Sequence, residues 1–132
     1  MMDKKSIEEG RKIMMGGFGP SGEKRFEELY AIDEGHADNI LGYCWGSVWS
    51  RPGLDLKTRE LIVIGIAASM NFPGEVKMHV RGALNRGATR EEIMETIVQC
   101  SPYIGLPKTN HALEAAKEIF DQWEQRKEWH AK

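Results

Sequence analysis

Only two cysteines occur in 132 residues, Cys44 and Cys100, and they stand in no CxxC or zinc-ligand spacing. That excludes a disulfide framework and a structural zinc site, and leaves two reduced core thiols as the expectation. Long apolar runs are missing as well. The longest, Leu61 to Ala68, falls far short of the roughly 20 residues a bilayer span needs. The segment from Met1 to Arg11 is charged and lacks the apolar stretch of a secretory leader, so a cytoplasmic location is the default expectation. Neither sign of charge dominates: 18 Lys and Arg against 20 Asp and Glu give a net charge of -2. The basic residues are scattered along the chain, which argues against nucleic acid as a partner. Strand-like alternation, internal repeats and low-complexity tracts are absent too.

What is present reads as helix. A composition of 41% hydrophobic and 29% charged residues is that of a globular protein. A chain of this length forms one core and one domain, 1–132, without staples. Glycine and proline divide it at Gly16–Pro20, Arg51–Gly53, Phe72–Gly74, Gly87 and Gly105–Pro107. From His36 to Trp49, the residues Leu41, Cys44, Trp45, Val48 and Trp49 fall on one helical face, and Val76, His79, Val80, Ala83 and Leu84 repeat that spacing. Leu113, Ala116, Phe120 and Trp123 mark a C-terminal helix. Thr89 and Glu92 form a capping box after Gly87, with Ala88 and Ile93 placed for a hydrophobic staple. Leu56 to Met70, weakly capped by Asp55, is apolar all round over Leu61–Ala68. It is therefore a central buried helix or part of a subunit interface.

The chemistry gathers where two of these helices meet. Glu60 shares a face with Leu56, Val63, Ile64 and Ala67, so a carboxylate opens the most apolar helix. His79 sits in the next helix's apolar stripe, and Glu75 lies at i, i+4 from it, within reach of the imidazole. A histidine on an apolar face is most often a satisfied core residue, Glu75 alone a solvated one, and Glu60 could simply pair with Arg59, Arg81 or another subunit. Three such groups across one short turn make a pocket lined by Glu60, Glu75 and His79 the competing reading. The aromatic pair Trp45 and Trp49 is more often core or interface than substrate wall.

The segments "WGSVWSRPGLDLKTR", "HVRGALNRGATREEI" and "IGLPKTNHA", within Tyr43 to Phe120, resemble the carboxymuconolactone decarboxylase family. The resemblance implies the all-α, alkylhydroperoxidase-D-like helical bundle of about six helices, assembled into a homo-oligomer, trimer or hexamer. In the hydroperoxidase branch a glutamate is followed by a CxxC pair and then a histidine. Glu60 and His79 match those ends, but Phe72 and Glu75 occupy the two cysteine positions. Thiol peroxidase chemistry needs a thiolate and a resolving thiol, so the resemblance points to the decarboxylase branch.

That branch implies loss of carbon dioxide from a small carboxylated lactone, without a cofactor or metal. His79 would supply the hydrogen bond or proton, Glu60 would set its tautomer or relay its proton, and Glu75 would be a second orienter. A substrate carboxylate calls for an arginine among Arg51, Arg59 and Arg81. Arg81 is favoured although it points to a different side of its helix from His79, and Trp45 and Trp49 complete the expected substrate-binding set. A redox protein using Cys44 and Cys100, or a non-catalytic oligomeric binding module, remain the alternatives.

Overall fold

The computed structural model describes residues 2–131, and all regular structure among them is helical. The order is α1 (Lys4–Ile32), α2 (Glu34–Asn39), a π-helical segment (Ile40–Val48), α3 (Leu56–Ser69), α4 (Pro73–Asn85), α5 (Arg90–Ile104), α6 (Leu106–Gln122) and a closing 3-10 turn (Lys127–Trp129). No helix among the described residues is long and apolar enough to cross a membrane. The chain divides into two compact units, Met1–Asp55 with Glu128–Lys132, and Leu56–Lys127.

In the first unit, α1 starts at Asp3, whose carboxylate accepts from the Ser6 amide at 2.9 Å. The break expected at Gly16–Pro20 is a kink at one residue: Gly19 has φ 61° and ψ -157°, and Pro20 restarts the helix. A side chain at Gly19 would strike the backbone of His130.

The helix expected over His36–Trp49 is corrected in kind, because α2 gives way to π-helix at Ile40. Leu41, Trp45 and Trp49 are buried four apart, near the 4.4-residue turn of a π-helix, whereas Cys44 and Val48 are only half-buried. Gly10 and Gly46 let backbones approach so closely that a Cβ on either would overlap main-chain atoms of the facing segment. Phe18 meets Trp45 edge-on at 5.4 Å, and Trp45 lies 4.3 Å from Trp49, so this unit's core is aromatic.

The second unit is a cluster of four helices. Its α3 is not wholly buried: Glu60, Ile64, Ala67 and Ala68 face inward, while Ile62, Ile66 and Met70 are exposed. The capping box is present, with Glu92 N donating to Thr89 Oγ1 at 3.0 Å and Thr89 N to Glu92 Oε1 at 2.9 Å. Gly87 and Gly105 adopt φ 89° and 91°, which suits glycine and ends the helices before them. The buried face of α6 runs through Thr109, Ala112, Ala116 and Ile119, with Leu113 only half-buried. Of the expected stripe, Ala116 and Phe120 are buried, while Trp123 like Leu113 is only half-buried; Ala115 also joins the buried face.

Candidate functional site

Helices α3 and α4 form a hairpin across Met70–Phe72. Asn71 takes φ 53°, a left-handed conformation that asparagine tolerates, and its Oδ1 accepts from His111 Nδ1 at 2.8 Å. Pro73 opens α4 at a position where its missing amide hydrogen costs nothing. The inward face of α4 then carries Val76, His79, Val80, Gly82 and Ala83 against α3.

Glu60 is completely buried, at 0% exposure. A lone ionised carboxylate there would be costly. The fold answers with two partners. His79 Nδ1 donates to Glu60 Oε1 at 2.7 Å, and Arg86 Nε donates to Glu60 Oε2 at 3.3 Å. His79 is itself only 6% exposed, and the Arg86 side chain 7%. The other ring nitrogen, His79 Nε2, lies 3.6 Å from Glu75 Oε2, and the Glu75 side chain is 36% exposed. Burial grades outward along one line, from Glu60 through His79 to Glu75 at the rim.

Space for the carboxylate is made by Gly82, where a Cβ would lie 2.6 Å from Glu60 Cδ. Burial alone pulls the His79 imidazole pKa down. The hydrogen bonds and charges of Glu60 and Glu75 more than offset that, so the imidazole is held above its ordinary value and favours the imidazolium.

The three residues expected at the hairpin, Glu60, Glu75 and His79, are thus brought together. The expected arginines are not what meets Glu60. Arg86 does so, while Arg81 lies half-buried two positions past His79, on another side of α4. Arg86 and Gly82 were both missed, although Glu75, His79, Gly82 and Arg86 form a stripe at i, i+4, i+7 and i+11. A glycine and an arginine in register with a histidine were the signal.

Trp45 and Trp49 belong to the first unit, where each lies against the other and Trp45 also meets Phe18. Both cysteines are free and half-buried rather than fully buried. Desolvation raises the Cys44 thiol pKa, with a smaller opposing contribution from Trp49, so Cys44 is a poorer thiolate than usual. Cys100 Sγ donates to Thr96 O.

The family model described as carboxymuconolactone decarboxylase family matches residues 35–118. The chain is 35% identical over 121 residues to 4-carboxymuconolactone decarboxylase of Acinetobacter baylyi, an alignment covering 91% of this chain and 90% of that protein. It is also 39% identical over 74 residues to nitrosuccinic acid decarboxylase of Metarhizium robertsii, covering 56% of this chain and 52% of the relative.

Proposed function

We propose that this chain, which belongs to the carboxymuconolactone decarboxylase family, is a carboxy-lyase in which the Glu60-bound imidazole of His79 is the proton donor. The observation that carries the reading is the buried 2.7 Å contact between His79 Nδ1 and Glu60. It commits one nitrogen to Glu60, while Nε2–H faces the half-exposed Glu75 at 3.6 Å, on the side from which a substrate would approach. A small carboxylated lactone loses carbon dioxide as its C–CO₂⁻ bond breaks and the electron pair passes into the conjugated ring, giving a dienolate. His79 hydrogen-bonds to the developing charge and then delivers its proton to carbon, and water restores that proton. Glu60 fixes the ring's orientation, and Glu75 steadies the imidazolium at the rim.

The name of the fungal relative supports a statement of the substrate class by its chemistry. In a nitrosuccinic acid, as in a carboxylated lactone, the electron pair left by carbon dioxide can be delocalised onto oxygen, here of a nitro group. The proposed substrates are small acids of that kind. Arg81 is the candidate to hold a second substrate carboxylate, and Arg81→Gln should then raise KM more than it lowers kcat. The test of the function is turnover: carbon dioxide release from a γ-carboxylated butenolide and from nitrosuccinic acid, followed side by side. Release from neither, by folded protein, would sink the assignment.

The same reading makes the protein a homo-oligomer, trimeric or hexameric. Its physical support is the set of exposed apolar residues Ile62 and Ile66 on α3, with Met70 and Phe72 following it.

A further inference from the structure

The ion pair between Arg86 and Glu60 has no part in the proton path just described, yet both side chains are buried, at 7% and 0% exposure. Arg86 stands at the C-cap of α4, and its Nε reaches the carboxylate oxygen that His79 does not use. Each oxygen of Glu60 therefore has its own donor, and Gly82 leaves the carboxylate no competing side chain. A buried carboxylate held this way is fixed in its rotamer.

The charge count around the imidazole makes the second role explicit. His79 faces Glu60 from α3 and Glu75 from α4. Of the other helices packed on α4, α6 contributes Glu118, which is held by Lys77 at 2.8 Å; Glu92 of α5 is held by Lys57 at 3.0 Å. With Arg86 present, the set Glu60, Glu75, Arg86 and protonated His79 is neutral. Without Arg86, two carboxylates would act on the imidazole and the guanidinium that now meets Glu60 would be gone.

We propose that Arg86 is a positioning residue of this site, holding the Glu60 carboxylate in the rotamer that meets His79 Nδ1 and offsetting the carboxylate charge that would otherwise lock the proton on the imidazole. The inference rests on the reading of His79 as proton donor. A donor that binds its proton too tightly is a poor acid. Arg86 keeps His79 acidic enough to give the proton up.

The test compares Arg86→Gln with Arg86→Lys, and reads the ring nitrogens of His79 by NMR across pH, a measurement that needs no substrate. In Arg86→Gln the His79 midpoint should move to higher pH than in the unaltered protein, and in Arg86→Lys it should stay near the unaltered value, because the charge is kept. Turnover should fall about tenfold or more in Arg86→Gln, mainly in kcat, and recover in part in Arg86→Lys. Equal midpoints in the Gln and Lys variants, or a downward move in Arg86→Gln, would overturn the proposal. If Arg86→Gln loses helix content, its loss of stability relative to the unaltered protein should be greater at pH 8 than at pH 5, since the added stabilisation from a more tightly held imidazolium is complete at low pH and fades as pH rises. A loss equal at both pH values would overturn it too. If the titrations come out as stated but no acid of the proposed class is turned over, the decarboxylase reading fails and the role of Arg86 in setting the His79 charge stands.

Discussion

At the scale of the residue, His79 decides most. Replacing it with alanine should lower decarboxylation by roughly 10² to 10⁴, the usual contribution of a placed proton donor, with circular dichroism unchanged. A variant that unfolds yet keeps its activity per folded molecule would make His79 a core residue instead. The pH dependence has a definite sign. Because the folded protein holds the imidazole above its ordinary pKa, the protonated pair stabilises the fold fully below that ordinary value and is lost as pH rises through the raised one. Melting temperature should therefore fall as pH rises past the ordinary histidine value, and the fall should flatten in His79→Gln. Gly82 gives a contrary prediction to helix propensity. Alanine in mid-helix normally stabilises by roughly 0.5–1 kcal/mol relative to glycine. At position 82 its Cβ would press on the Glu60 carboxylate, so Gly82→Ala should lose stability in urea titration and lose turnover by about 10²-fold through misplacement of the His79–Glu60 pair.

At the scale of the element, the opening turn of α4 separates two chemistries. Phe72 is its N-cap residue and Glu75 lies in its first turn. Phe72→Cys combined with Glu75→Cys would put a CxxC pair where the helix dipole lowers thiol pKa. We expect free-thiol counts in that double variant to fall on oxidation and those of the unaltered chain to hold. Peroxide turnover by the unaltered chain, abolished by Cys44→Ser or Cys100→Ser, would move the protein to the redox class. The helices themselves were readable where local chemistry is strong: the Thr89–Glu92 capping box and the glycines at 87 and 105 define their ends whatever surrounds them. Glu60, Glu75 and His79 were readable because a charge on an apolar stripe stands out. Arg86 was not, since it ends its helix beside polar Asn85 and Gly87, and only the position of Glu60 on another helix shows what it is for. The π-helical stretch was hidden for a related reason. Apolar residues four apart satisfy the pattern of an α-helix too, and the choice is made by the close approach of Gly10 and Gly46 in three dimensions.

At the scale of the whole molecule, the exposed row Ile62, Ile66 and Met70 should be covered by copies of the chain. Light scattering is expected to give three or six times the 15.0 kDa of one chain. Ile62→Glu with Ile66→Glu should shift that mass toward a single chain; a single-chain mass for the unaltered protein would refute the assembly. The two units differ in another way, visible when the molecule is considered as a product of synthesis from one end. The unit that holds Glu60, His79 and Arg86 is one uninterrupted stretch, and its site closes across only 27 consecutive residues, from 60 to 86. The aromatic unit draws on both ends of the chain: Trp129 is buried, and the backbone of His130 sits against Gly19. On a ribosome, the hairpin of α3 and α4 can therefore form while the aromatic unit still waits for the segment around Trp129 to emerge.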